Sequence, residues 1–340
     1  MAEQNRLGLE KRAYGGSPST LCTGCGHDLI SNHVISACYN ADIPPHRVAK
    51  MSGIGCSSKI PAYFMSGSFA FNSMHGRMAP IATGAGVVQP SLRYLGVSGD
   101  GDTASIGLGG FIHLLRRNLP ICYIIADNGV YGLTKGQFSA TAEASSVLRT
   151  GEHNLFESLD ICALSVEAGA SFVARAFAGD AKQMVPMIQA GLFHQGTAVI
   201  DVISPCITFN NHDGSTKSYS YVKEHDVVLQ ELGLILEGTT HHIDYPEGST
   251  ERVDLLDGRT LTLRKLDSRA HNVRDREAAL RLLHESQEAG ELLTGLIYVN
   301  EKKPTLQQKL ALSDRPLANL TEVELRPPRE QMKKLLAQFR

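Results

Sequence analysis

Four cysteines of this 340-residue sequence stand at positions suited to metal or redox chemistry. Cys22-Thr-Gly-Cys25 is a C-x-x-C pair, a spacing that lets two thiolates reach one metal from a tight turn. Alone it fits zinc, an iron–sulfur cluster or a dithiol redox pair. A thioredoxin-like dithiol expects its pair at a strand-to-helix junction of a small domain and needs no further cysteines. Here Cys56 follows an expected strand in Ser-Gly-Ile-Gly-Cys, and Cys206 follows another in Ser-Pro-Cys. In an open parallel sheet the carboxyl ends of the strands line the edge where ligands bind, so the four thiolates are expected to converge there. A four-cysteine zinc staple is the plain alternative. Cys38, Cys122 and Cys162 fall in apolar helical or strand patterns, where cysteine behaves as a small buried hydrophobe.

The second constellation is Gly99-Asp100-Gly101-Asp102, placed after an apolar strand and before a helix that starts with small residues. Glycines let the backbone approach a phosphate closely, and a helix N-terminus supplies free N–H groups and a favourable dipole. Twenty-eight positions after Asp100 comes Asn128, within Asp127-Asn128-Gly129-Val130-Tyr131-Gly132, a distance that suits one βαβ crossover. Mg²⁺ takes oxygen ligands in a tight octahedron shared with cofactor phosphates. Asp100, the Asn128 amide oxygen and a carbonyl near Val130 are expected to supply the protein's share. Other nucleotide folds fit less well: the run Gly107–Gly110 lacks the P-loop lysine, and no G-x-G-x-x-G opens a helix after the first strand.

Positioning these residues requires an α/β framework. Short β-branched runs at Arg47–Ser52, Tyr94–Ser98, Ile121–Ala126, Ser171–Ala176 and Ala198–Ile203 alternate with helical patterns at Asp28–Tyr39, Ala104–Arg117 and Ala181–Phe193. The pattern predicts a doubly wound, mostly parallel sheet. After Pro205 it changes: Val253–Leu256 and Thr260–Leu263 flank Asp257-Gly258, a hairpin dipeptide, and Arg276–Leu293 and Pro328–Phe339 read as helices. The expected organisation is an N-terminal segment (1–14), a ligand-binding domain (15–210) and a C-terminal extension (211–340).

Composition narrows the partners. With 42% hydrophobic and 20% charged residues the chain can bury a full core, and a net charge of −2 without a basic stripe argues against nucleic acid. No stretch approaches the ~20 apolar residues of a membrane span, and the polar start lacks a signal-type apolar core, so a cytoplasmic protein is expected. Seven irregularly spaced cysteines in a reducing compartment point to metal or redox chemistry rather than disulfides.

Taken together, Cys22-Thr-Gly-Cys25-Gly-His, Gly53-Ile-Gly-Cys-Ser-Ser58, His75-Gly-Arg77 with Ala82-Thr-Gly84, the Gly-Asp-Gly/Asn128 pair and Ser-Pro-Cys206 resemble the β subunits of 2-oxoacid:ferredoxin oxidoreductases over roughly residues 15–210. The resemblance implies a thiamine-diphosphate-binding fold of the diphosphate-binding type. It also implies one [4Fe–4S] cluster on Cys22, Cys25, Cys56 and Cys206, and Mg²⁺ on Asp100, Asn128 and Val130. Around the thiamine diphosphate it places Ile54, Gly55, Cys56, Ser57, His75, Gly99, Asp100, Gly101, Asp102, Asn128, Gly132 and Leu133. A histidine in a turn also serves simply to satisfy backbone groups, and Arg77 equally suits a subunit interface. The implied reaction is oxidative decarboxylation of a 2-oxoacid, with coenzyme A taking the acyl group and ferredoxin the electrons. No motif here supplies the carboxylate that activates the cofactor ring; in the family it comes from the α subunit, so that partner is expected to complete the site.

Substrate choice turns on Tyr131-Gly-Leu133-Thr-Lys135-Gly-Gln137. Pyruvate-type relatives resemble Asn-Thr-Gly-Gly-Gln over this stretch, whereas here Leu133 and Lys135 replace an Asn and a Gly. A lysine beside the cofactor would pair with the distal carboxylate of 2-oxoglutarate, a contact pyruvate cannot make. The plain alternative is a solvated loop lysine. The expectation is a 2-oxoglutarate-specific enzyme of the 2-oxoglutarate synthase type. A pyruvate or broad-specificity enzyme is the runner-up, and a zinc-stapled interaction subunit the rival of a different class.

Overall fold

The computed structural model describes residues 4–142, 144, 146–148, 150–208, 245–254, 260–265, 267, 271–289 and 291–339. In chain order the strands are β1 (Val48–Ser52), β2 (Phe69–Asn72), β3 (Arg93–Gly99), β4 (Ile121–Asp127), β5 (Val130–Tyr131), β6 (Gln137–Phe138), β7 (Phe172–Phe177), β8 (Thr197–Ile203), β9 (Thr250–Asp254), β10 (Thr260–Lys265) and β11 (Glu291–Val299). Nine of them form one sheet in the order β2-β1-β3-β4-β8-β7-β11-β10-β9, and β5 with β6 makes a separate hairpin. The first six in that order run parallel. β11 then pairs antiparallel with β7, and β10 and β9 extend the sheet beyond it.

The helices that flank the sheet are α1 (Gly26–Asn40), α2 (Met78–Val88), α3 (Leu108–Arg117), α4 (Ile161–Glu167), α5 (Ala181–Phe193) and α6 (Arg276–Glu288). Strand β4 is a continuous apolar run because both of its faces are covered. Cys122, Ile124 and Ala126 point into the core under α1 and α5, beside Ile30, Val34, Met184 and Ile188. Ile121, Tyr123 and Ile125 point the other way, onto Phe111, Leu114, Val166 and Leu283 from α3, α4 and α6. Each such large side chain contributes roughly 1.5–3 kcal/mol on full burial. Asp160, Asp180 and Asp275 cap α4, α5 and α6 by accepting from the backbone N–H of Ala163, Gln183 and Ala278.

The five expected strands fall on β1, β3, β4, β7 and β8, and two of the expected helices on α1 and α5. Two expectations are corrected. Ala104–Arg117 is not one α-helix: Gly101–Ile106 winds as a π turn, and α3 begins only at Leu108. The wide turn goes with Asp102, whose carboxylate is held by groups outside the helix, as described below. Nor does the helix from Arg276 reach Leu293; it ends at Glu288, and Leu292 and Leu293 belong to β11. Local helical periodicity there yields to pairing with β7 and β10. β9 and β10 pair antiparallel with Asp254 opposite Thr260, while the Asp257-Gly258 turn lies outside the described residues. The helix expected at Pro328–Phe339 is seen at Arg329–Ala337. Among the described residues no helix is long and apolar enough to cross a membrane.

From β1 the chain passes outward to β2, then returns to the other side of β1 as β3 and moves on to β4. The direction of winding therefore reverses between β1 and β3. In such sheets the crevice beyond the carboxyl ends at the reversal is the ligand site.

Candidate active site

The loops leaving β1 and β3 meet at that crevice. Asp102 is buried, and its two oxygens accept from the Gly76 N–H (2.6 Å) and the Ser98 hydroxyl (2.9 Å). It thereby ties the His75-Gly76-Arg77 turn, which carries the exposed His75 and Arg77, to the Gly-Asp-Gly segment. Gly76 has φ +63°, and a Cβ there would sit 2.8 Å from the Gly107 nitrogen, so only glycine fits this junction. Ser57 is buried next to Gly99, with its hydroxyl donating to the Ile54 carbonyl (3.2 Å), and Gly55 precedes it with φ +83°.

Asp100 lies at the end of β3, opposite the loop that leaves β4. Its Oδ2 accepts from the Gly129 N–H (3.1 Å), the Thr141 hydroxyl (2.6 Å) and the Ser139 hydroxyl, while Oδ1 takes none of these bonds. Asp127 accepts from the same Thr141 hydroxyl (2.8 Å) and from the Gly129 N–H (3.2 Å). Burial raises the pKa of both carboxyls, and for Asp127 the nearby Asp100 and Asp201 charges add to the effect. Two buried acids side by side form the donor environment that a divalent cation relieves. The Asn128 amide oxygen accepts from the Val130 N–H (3.1 Å), which closes a tight turn around Gly129, the residue that donates to Asp100. These residues fit the expected Mg²⁺ set.

Asn128 also connects this region to the cysteines. Its Nδ2 lies 3.5 Å from His27 Nε2, and His27 Nδ1 is 2.6 Å from the Ser204 hydroxyl, two residues before Cys206. Burial holds His27 down at about 4, so the ring is neutral. If the amide donates to Nε2, then Nδ1–H donates to Ser204. His27 lies in the first turn of α1, two residues after Cys25, and Gly26 packs so closely on Ser204 that a Cβ would lie 2.7 Å from its hydroxyl.

Around this junction the four edge cysteines approach one another. Burial pushes the Cys25 thiol up to about 12, with Cys206 and Cys22 adding to the shift, and burial together with Cys22 raises Cys56. Thr208 donates to Cys22 Sγ (3.1 Å). Among the described residues no three Cys, His, Asp or Glu side chains stand close enough to share a single ion. A four-iron cluster instead takes its thiolates one per iron, so thiols in mutual electrostatic reach but not in contact suit it. Cys38, Cys122 and Cys162 are buried in the two cores, away from this edge.

The β5–β6 hairpin borders the crevice. The Tyr131 hydroxyl donates to the Gly101 carbonyl (3.0 Å), and a Cβ on Gly101 would strike the Tyr131 ring at 2.5 Å. Gly132–Thr134 forms a 3-10 turn, Leu133 is 55% exposed, and Lys135 is exposed in the left-handed conformation at φ +78°. No acidic residue of this chain is ion-paired with Lys135 among the described residues. Sequence reasoning did not single out His27, Asp127, Ser139 or Thr141. The adjacency of His27 to the C-x-x-C and of Asp127 to Asn128 was the available signal; Ser139 and Thr141 offered none.

Comparison with known proteins follows this geometry. Residues 53–202 match the C-terminal TPP-binding domain of thiamine pyrophosphate enzymes. Over 244 residues the chain is 34% identical to the 2-oxoglutarate synthase subunit KorB of Methanocaldococcus jannaschii, a match covering 68% of this chain and 90% of that one. The chain belongs to the β subunits of the 2-oxoacid:ferredoxin oxidoreductases. It is also 38% identical over 191 residues to the 2-oxoacid:ferredoxin oxidoreductase 2 subunit beta of Aeropyrum pernix, where it spans 56% of this chain and 61% of that relative's length. Its structure resembles that of a 2-oxoglutarate:ferredoxin oxidoreductase from Magnetococcus marinus solved with 2-oxoglutarate, coenzyme A and succinyl-CoA bound. There the TM-score is 0.74 at 28% identity, with 99% of both chains covered. As a member of this family the chain has an α/β thiamine-diphosphate-binding fold.

Proposed function

We propose that this chain is the β subunit of a cytoplasmic 2-oxoglutarate synthase, which with an α subunit converts 2-oxoglutarate and coenzyme A to succinyl-CoA, or runs the reverse carboxylation, exchanging electrons with ferredoxin. The observation that carries the reading is the shared sheet edge, where His27 joins Ser204, two residues before Cys206, to Asn128, and the next residue, Gly129, donates to Asp100. When bound, thiamine diphosphate supplies an electron sink for decarboxylation and a [4Fe–4S] cluster supplies single-electron steps.

The chain's residues then divide the work. Cys22, Cys25, Cys56 and Cys206 hold the cluster. Asp100, Asn128 and the Val130 carbonyl hold Mg²⁺ against the diphosphate, and Ile54, Gly55, Ser57, Gly99, Gly101, Gly132 and Leu133 wall the cofactor. Asp102 acts through the backbone, because both its oxygens are occupied in placing the His75 turn. His75, exposed at the crevice, meets substrate or cofactor. Lys135, unpaired within the described residues and carried on an ordered hairpin, binds the distal carboxylate. The subunit names and the bound molecules of the relatives support 2-oxoglutarate. The broader name of the Aeropyrum pernix relative favours a second reading, in which several 2-oxoacids are accepted.

The test is anaerobic purification of the chain with its α subunit, followed by metal analysis, visible spectroscopy and turnover of 2-oxoglutarate against pyruvate. Brown protein that bleaches on reduction and prefers 2-oxoglutarate is the expected result. Colourless protein holding one zinc sinks the redox assignment.

A further inference from the structure

The opposite edge of the same sheet carries a cavity of about 520 Å³, within the size range of small-molecule sites. It opens at the amino ends of β3 and β4, where Arg93 and Ile121 begin their strands, and so lies a strand's length from the Gly-Asp-Gly crevice. Two arginines line it. Arg47 immediately precedes β1, and Val48 is the register partner of Arg93, so both arginines stand at the same end of the sheet and both line the cavity.

Both are anchored without being neutralised. Arg47 donates to the Ser91 carbonyl (2.9 Å), and Arg93 donates to the Leu192 carbonyl (2.9 Å) while stacking 4.4 Å over the Phe193 ring. Among the described residues neither guanidinium forms an ion pair. The Arg93 pKa is lowered by burial and then by the Arg47 charge, with no carboxylate opposing that repulsion. Two planar cations, each with further N–H donors and no counter-ion, make an anion seat.

The rest of the lining is of a different kind. Gln307 donates to the Gly86 carbonyl (3.3 Å), but its Oε1 is buried without a hydrogen-bond partner, an acceptor that costs stability until a donor reaches it. Asp314 adds a second acceptor to the lining. Pro44, Pro90, Pro120 and Leu92 supply flat apolar wall. The cavity therefore asks for an anionic end, a planar apolar body and N–H or O–H donors in one molecule, and a bare phosphate ion would leave most of it unfilled.

We propose that this cavity is a second ligand site, separate from the cofactor crevice, which binds a nucleoside phosphate with its phosphate on Arg47 and Arg93 and its donors toward Gln307 and Asp314. The test is calorimetric titration of the complete heteromeric enzyme with ADP and with GDP. Thiamine diphosphate, Mg²⁺ and saturating coenzyme A are present throughout, so that the diphosphate and acyl-acceptor sites are already filled. Saturable binding of at least one nucleotide at one per β chain is expected, weakened about tenfold or more by Arg47→Gln and by Arg93→Gln. Arg47 is exposed, so its variant keeps the test open should Arg93→Gln disturb packing against Phe193. Thiamine diphosphate affinity should be unchanged in Arg47→Gln. Absence of binding, equal binding by both variants, or inorganic phosphate binding as tightly as the nucleotides would overturn the assignment.

Discussion

Seven cysteines divide between two regions that treat the same side chain in opposite ways. Cys38, Cys122 and Cys162 sit inside the two apolar cores, where desolvation raises their thiol pKa, Cys38 to about 12. Cys25 is almost as buried and is pushed up as far as Cys38, yet its neighbours include the thiols of Cys22 and Cys206 rather than aliphatic carbon alone. In the core a neutral thiol is the stable end state, since desolvation outweighs the pull of Arg93 on Cys38 and of Arg175 on Cys162. At the edge the thiols lie within electrostatic reach of one another, and iron centres would favour their charged form as ligands. Position in the sheet separates the two populations, whereas burial alone does not.

The largest effects expected from breaking this division are at the edge. Cys25→Ala should abolish the visible absorbance of the anaerobically purified heteromer together with ferredoxin-linked turnover. Cys162→Ala should leave the absorbance intact, and a bleached Cys162 variant would erase the distinction between the regions.

Asp100→Asn comes next, because it removes a charge while keeping the size and most hydrogen bonding of the side chain. Magnesium-dependent binding of thiamine diphosphate, followed by calorimetry, should fall below detection with the cluster spectrum unchanged. Wild-type affinity in that variant would remove Asp100 from the metal set.

Lys135→Ala should lower kcat/KM for 2-oxoglutarate by roughly 10- to 150-fold, the range for losing a hydrogen bond to a charged group, and leave pyruvate nearly untouched. Both substrates are to be assayed at one salt concentration, since Lys135 is exposed in this chain and screening weakens an exposed charge pair. Equal losses for the two would make the lysine a support for the hairpin.

The smallest effect belongs to the core. Cys122→Ala removes a sulfur-sized volume from a packed strand and should cost about 1 kcal/mol in denaturant unfolding of the heteromer, with unaltered cluster absorbance and cofactor affinity.

How much of this was legible in advance depended on the range of the interactions involved. Strands β3, β4 and β8 announce themselves because a strand covered on both faces is a short apolar run, a local property of Leu95, Ile124 or Val199. The helical reading through Leu293 failed because leucines suit either element, and pairing of Leu292 and Leu293 with β10 decides between them. The edge strand β2, exposed at Phe69 and Phe71, has no alternating burial to mark it. In the site, Cys22, Cys25, Asp100 and Asn128 stand out by type and spacing. Ser139 and Thr141 do not, since their part is to complete the hydrogen bonding of a carboxylate some 40 positions earlier.

The sequence by itself determined the α/β class and pointed to the carboxyl edge of the sheet, with Cys22, Cys25, Asp100 and Asn128 as candidate residues, because each of these readings rests on periodicity or on spacing along one segment. The tertiary structure alone decided that Asp102 positions the His75 turn, that neutral His27 joins Asn128 to Ser204 beside Cys206, and that Arg47 and Arg93 share one cavity. Those facts depend on which strands become neighbours, and with parallel pairing across crossovers that choice is fixed by packing over the whole sheet rather than by any local run of residues.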